Sequence, residues 1–222
     1  MGEKLILRPD IRVFDVGYQF PQLDGLIGVS LSAGVESTIL LHILLKTYGK
    51  SNVRAFSGLM KGRRSWEAEK ARAMVQRQGA LYHFTVDDNF VSMSPDENAR
   101  LAKHAKETIG VKAWFNGAAD LLYHPTFKTE QDAERLREKA VFIPFISLQK
   151  SNIIDLYFKY NVSHLLPITH SCTDRGDVHC GKCVCCLERA RGFIDLGIRD
   201  PATYSCEWSQ VVRNVAAAQT VR

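Results

Sequence analysis

No cysteine precedes Cys172, no apolar tract reaches the roughly 18 residues of a membrane span, and residues 1–10 hold no signal-type apolar run. These absences point away from a membrane or secreted protein and toward a soluble, cytoplasmic one. Charge of one sign is also scarce. Lys and Arg number 29 against 24 Asp and Glu, a net charge of +5, too mild and scattered for dense phosphate neutralisation, so no direct nucleic-acid contact is expected. Low-complexity segments are missing too. What is present, 45% apolar and 24% charged residues over 222 positions, is the composition of a folded globular chain. At this length one α/β domain with a small appendix is expected, because chains tend to divide only beyond roughly 250 residues.

From Gly25 onward short apolar runs alternate with amphipathic stretches, the pattern of βα units around a parallel sheet. Strands are expected at 26–31, 53–57, 80–86, 112–115 and 141–146, with a further edge strand at 12–16. Helices are expected at 37–47, stopped by Gly49, and at 65–78, 95–109, 129–139 and 151–160. The fold class is therefore α/β, doubly wound and mostly parallel.

Leu31, Ser32, Ala33, Gly34, Val35, Glu36 and Ser37 join the first strand to the first helix. Small residues there bring backbone N–H groups to a helix N-terminus, where dipole and unpaired donors favour an anion. The same composition also serves a tight turn. Ala33 is acceptable provided its φ is negative, since positive φ is what calls for glycine.

Cys172, Cys180, Cys183 and Cys186 follow the spacing C-x7-C-x2-C-x2-C, which can aim four thiolates at one ion. Five of the six cysteines fall within 15 residues, and in an intracellular chain such clustering reads as metal before disulfide. Four sulfurs leave no open position for water, so the metal expected is a structural zinc. Cys185 and Cys206 are read as spare thiols, with His170 and His179 as alternate ligands.

The loop resembles the S-G-G-x-D-S pyrophosphate loop of the ATP pyrophosphatases, the adenine nucleotide alpha hydrolase type of Rossmann-like fold. The run from Ser171 to Cys172, the segment His179-Cys180-Gly181-Lys182-Cys183-Val184-Cys185-Cys186, and Gly197-Ile198-Arg199-Asp200-Pro201 resemble the C-terminal signature of the 7-cyano-7-deazaguanine synthases. Gly62 and Arg64 match a G-x-R element of that family, and Pro144 with Lys150 matches its P-x5-K segment. Asp120, Pro125 and Lys128 match part of its D-x-x-x-Y-P-D-C-R pattern, where this chain has Thr126 for the acid and Phe127 for the cysteine. Ala33 and Glu36 likewise replace glycine and aspartate in the loop.

The resemblance implies an ATP-dependent carbon–nitrogen ligase that turns 7-carboxy-7-deazaguanine and ammonia into the nitrile through an adenylate and an amide. It implies residues 31–37 as the ATP contact, with magnesium. Ser32, Glu36, Ser37, Arg64 and Lys150 are implied as catalytic, and Asp120, Pro125 and Lys128 as substrate contacts. Phe115, Trp114, Tyr123 and Phe127 could stack on a planar base or could belong to the core. The partners implied are the deazaguanine, ATP and free ammonia, with a homodimer compatible; residues 1–170 would form the α/β unit and 171–222 a zinc-binding segment. The departures from the family pattern leave three readings open: the full reaction, arrest at the amide or transfer of the deazaguanine to another acceptor, and a nucleotide-binding relative without turnover. A thiolating enzyme is disfavoured, since no cysteine lies near the loop.

Overall fold

The computed structural model describes residues 18, 20–60, 65–87, 96–119, 130–173 and 178–220. Five strands, β1 (Ile27–Ser30), β2 (Val53–Met60), β3 (Leu81–Asp87), β4 (Ala113–Phe115) and β5 (Val141–Phe142), form one sheet in the order β3-β2-β1-β4-β5. All four pairings are parallel. The helices are α1 (Val35–Tyr48), α2 (Ser65–Gln78), α3 (Asp96–Ile109), α4 (Glu130–Arg137), α5 (Lys150–Lys159), α6 (Val184–Asp195) and α7 (Trp208–Thr220), with a 3-10 turn at Ser163–Ile168. The chain runs outward from β1 through β2 to β3, then returns to the other side of β1 as β4. That reversal places the topological switch point between β1 and β4, where doubly wound sheets bind their ligands.

β1 is short and apolar, as a strand covered on both faces should be. Gly28 in its middle is required by a neighbour, because an added Cβ would stand 2.7 Å from the Trp114 ring. Nine of the 14 residues of α1 are buried, so this helix is central, and Gly49 ends it at φ 82 with its N–H donating to Leu45 O. Phe115 stacks on Phe142, centroids 4.9 Å apart, and Trp114 packs on Phe56 at 5.3 Å. Both rings are core residues rather than stacking platforms.

Two strand expectations need correction. The apolar run at 141–146 pairs only through Phe142, and 144–147 form turns closed by Ile146 N–H to Ile143 O and Leu148 N–H to Phe145 O. Pro144 has no N–H to give a ladder, which stops the strand despite its apolar sequence. In the other direction, β2 runs on to Met60, its last residues paired with β3. The edge strand expected at 12–16 lies outside the described residues.

Behind the sheet α6 packs on α5. A Cβ on Gly192 would lie 2.7 Å from both Ile154 Cδ1 and Lys150 Cγ, so glycine there sets how closely the two helices approach. α7 closes over α6 through Leu187, Ala190, Val211 and Val215. Among the described residues no helix is long and apolar enough to cross a membrane.

Candidate active site and metal centre

The loop leaves β1 at Leu31, whose N–H donates to Phe56 O and whose carbonyl accepts the Ser57 hydroxyl at 2.5 Å. Ala33 then turns the chain at φ 59, which corrects the expectation of negative φ. The flip aims the Ala33 carbonyl at the His170 N–H, 2.9 Å away. Gly34 follows in extended conformation as the N-cap of α1, and Thr38 N–H makes the first intrahelical bond, to Gly34 O at 3.1 Å. The amides of Val35, Glu36 and Ser37 therefore precede the helix's own bonding and converge at its N-terminus.

Ser32 and Ser37 hold this mouth in shape. Their hydroxyl oxygens lie 3.2 Å apart, and Ser32 N–H donates to Ser37 Oγ at 3.2 Å. Ser32 is exposed and Ser37 buried, so one hydroxyl faces outward while the other braces the turn. Tyr157 on α5 donates its hydroxyl to Val35 O at 2.6 Å; burial raises its pKa strongly, keeping the proton that bond needs. From β4, Gly117 presses on the same turn: an added Cβ would meet Glu36 C at 3.1 Å and Ser37 N at 3.2 Å. Composition and motif spacing do not single out Gly117, although a glycine two residues beyond a strand at the switch point is a usable signal.

A left-handed alanine is strained by roughly 1–2 kcal/mol. Glycine would relieve that but would lose a fully buried methyl and add unfolded-state entropy of about 0.4–1 kcal/mol. Ala33→Gly is therefore expected to leave stability within about 1 kcal/mol of the parent. Ala33→Val, β-branched at the same φ, should cost about 2 kcal/mol or more. Chemical denaturation of the two variants checks this; equal stabilities would contradict it.

Glu36 forms an ion pair with Lys150, the first residue of α5. The lysine side chain is 7% exposed and the glutamate 20%. Burial pushes Lys150 down to about 8, opposed by Glu188 and Cys185 and assisted by Arg189. Gln149 and Asn152 form a reciprocal capping box at this helix start, fixing the origin of the lysine stem.

Cys172, Cys180, Cys183 and Cys186 bring their Sγ atoms within 4.8 Å of one another. The Cys180–Cys186 and Cys172–Cys183 pairs lie at 3.9 and 4.0 Å. A tetrahedral site with metal–sulfur bonds of about 2.3 Å has edges of about 3.8 Å, so the four thiols could hold a metal ion with small adjustments. Backbone N–H groups of Cys180 and Cys183 point at Cys172 Sγ and Cys180 Sγ, the donors that stabilise thiolates. His179 does not join them, since its Nε2 accepts the Ser171 N–H at 3.1 Å. Burial, with Arg189 and His170 nearby, lowers His179 to about 3, leaving a neutral ring that can accept. Cys185 and Cys206 stand outside the cluster, and Cys206 Sγ fills the space beside Gly181.

A buried ion pair fixes this segment. Arg189 is fully buried and binds Asp200 through Nε at 2.6 Å and Nη2 at 2.9 Å, while also donating to Thr169 and to Leu166 O. Thr169 adjoins His170, which holds Ala33, so the cysteine segment and the loop share one hydrogen-bonded frame. Beside it, Arg199, Pro201, Thr203, Tyr204, Glu207 and Trp208 line a cavity of about 450 Å³. The structure thus brings Ser32, Glu36, Ser37 and Lys150 together. Arg64, Asp120, Pro125 and Lys128, with Tyr123, Thr126 and Phe127, lie outside the described residues.

Fold and loop together define a doubly wound α/β protein whose first strand leads, at the switch point, into a helix N-terminus open to an anion. "Queuosine biosynthesis protein QueC" is the family description that matches, over residues 124–197. The 7-cyano-7-deazaguanine synthase of Archaeoglobus fulgidus is 25% identical over 226 residues, 82% of this chain and 92% of that one. That of Methanothrix thermoacetophila is 37% identical over 68 residues, 31% of this chain and 30% of that one. Thus the matched stretch spans nearly all of the first relative and under a third of the second. The NMN synthetase of Francisella tularensis superposes over 88% of this chain and 84% of its own with a TM-score of 0.46 and 10% identity. The chain is thus similar to the 7-cyano-7-deazaguanine synthases, weakly over most of its length and more closely over a shorter stretch.

Proposed function

We propose that the chain is an ATP-dependent carbon–nitrogen ligase that converts 7-carboxy-7-deazaguanine and ammonia to 7-cyano-7-deazaguanine. The observation that carries this reading is the convergence of three helix-start amides, Ser32, Glu36 and the buried Lys150 at the sheet's switch point. A carboxylate is a poor electrophile. Its oxygen attacks the α-phosphorus of ATP, pyrophosphate leaves, and the acyl adenylate carries AMP as a good leaving group. Ammonia adds at the carbonyl carbon and AMP departs, giving the amide. With a second ATP the amide oxygen is adenylated in turn, and loss of AMP with the nitrogen protons leaves the nitrile.

The amides of Val35, Glu36 and Ser37 and the outward Ser32 hydroxyl would receive the departing pyrophosphate oxygens, where charge accumulates. Lys150, and Arg64 in the family's G-x-R position, would supply positive charge. Glu36 would hold the magnesium that accompanies ATP, which supplies further charge neutralisation on the phosphates. Zinc is the metal that suits four thiolates, and its closed shell makes it a structural element of the 171–222 segment, packed on the 1–170 unit. Asp120, Pro125 and Lys128 would contact the deazaguanine.

The test is to incubate the protein with 7-carboxy-7-deazaguanine, ammonium, magnesium and ATP, and to read the base by mass spectrometry. A nitrile with two AMP formed per base is expected. Product stopping at the amide with one AMP would limit the assignment to the first half of the reaction, and pyrophosphate release indifferent to the base would overturn the substrate.

A further inference from the structure

Lys150 faces two carboxylates of different character. Glu36, on α1, is 20% exposed; Glu188, on α6, is 2% exposed. Glu188 lies one helical turn before Gly192, so the two share a face of α6. That face carries the lysine stem: a Cβ on Gly192 would stand 2.7 Å from Lys150 Cγ and 3.0 Å from its carbonyl carbon. Among the described residues, the charged or titratable groups acting on the ammonium are Glu36 from α1, its ion-pair partner, with Glu188, Cys185 and Arg189 from α6. Glu188 and Cys185 favour the charged lysine, and Arg189 opposes it.

An ammonium this deep needs a partner continuously, because an unpaired buried charge loses its hydration without compensation. Glu36 belongs to the loop where the nucleotide is placed, so its attention is divided once phosphates arrive. Glu188 lies outside that loop and is buried on the face of α6 that meets α5. We propose that Glu188 is the permanent counter-ion of Lys150, a positioning residue that holds the ammonium at the phosphate loop while Glu36 exchanges its partner for the nucleotide. The role at the nucleotide rests on the function proposed above, whereas the pairing itself does not.

The experiment is trace acylation of lysines in the full-length protein across pH, with Lys150 read by mass spectrometry. The parent should show a midpoint near pH 8. Glu188→Gln, of equal shape and no charge, should lower that midpoint by about one pH unit or more, a tenfold change in proton affinity. Glu188→Asp should retain most of the parental value. An unchanged midpoint in Glu188→Gln overturns the pairing. Should that variant fail to fold, Glu188→Gln/Lys150→Met removes both charges and should be more stable than Glu188→Gln alone; a double variant as unstable as the two single losses added overturns it equally. Calorimetry of ATP binding tests the underlying reading separately. At pH 8, Glu188→Gln should bind ATP several-fold more weakly than the parent, with a smaller difference at pH 6, where Lys150 is largely charged in both. A shifted midpoint with ATP binding absent from parent and variant alike supports the pairing and overturns the nucleotide site.

Discussion

Cys172→Ser is expected to abolish metal binding at the four-thiol cluster and to lose several kcal/mol of stability. In the folded chain the four thiols already lie within 4.8 Å of one another, and bringing four thiolates together without an ion is unfavourable, so binding free energy becomes folding free energy. Structural zinc in small peptides contributes about 10–16 kcal/mol, an upper bound here because α6 and α7 also pack on a core. Cys172 is buried, and its segment follows His170, whose N–H holds Ala33 O. Loss of this ligand should therefore loosen the loop as well as the metal segment. Cys185→Ser, outside the cluster, should retain the metal and lose far less stability. Metal analysis and thermal unfolding of both variants provide the check: about one zinc per chain in the parent and in Cys185→Ser, and little in Cys172→Ser. A parent prepared without chelator that contains no metal, or a Cys172→Ser variant as stable as the parent, would refute this.

Much of this arrangement was legible in the residues because its determinants are local. The density of apolar residues in α1 and its stop at Gly49, the βα alternation, the small-residue loop and the cysteine spacing each act within a few positions. What escaped depends on distant partners. The positive φ of Ala33 follows from a hydrogen bond to His170, 137 positions later, and no local pattern encodes it. The run at 141–146 reads as a strand by apolarity, yet only its first two residues have a partner in β4. α6 and α7 carried a helical period, Leu187 with Ala190 and Val211 with Val215, that the cysteines in the same stretch overshadowed. Glu188 and Arg189 look like surface charges in sequence and are among the most buried side chains in the structure.

That burial makes Arg189→Met the second large effect. The substitution fills similar volume with an apolar chain but leaves Asp200, among the described residues, with the Tyr204 hydroxyl at 2.8 Å and the Ala202 N–H at 2.9 Å. Removing one partner of a buried pair costs about 3–5 kcal/mol, since the remaining charge stays desolvated. For a chain of this size that corresponds to a melting temperature lower by roughly 10 °C. The dependence on pH has a definite sign. Burial raises the Asp200 carboxyl, but the Arg189 guanidinium and its hydrogen bonds outweigh it and hold the group below the usual carboxylate range. The native pair therefore contributes fully above the unfolded carboxylate value of about 3.9 and loses its contribution as pH falls through the lower folded value. In Arg189→Met the same carboxyl, buried without its cation, takes up a proton more readily. Its penalty shrinks on acidification, so parent and variant should converge in stability between pH 7 and pH 4. Asp200→Asn in the Arg189→Met background removes the stranded charge and should recover part of the loss at pH 7, a non-additivity that two residues acting independently would not show. Urea unfolding of the parent, both single variants and the double variant at the two pH values measures all three quantities. A constant gap across pH, or strict additivity, would mean that Arg189 stabilises the cysteine segment by packing on Phe193, 5.5 Å from its guanidinium carbon, rather than by its charge.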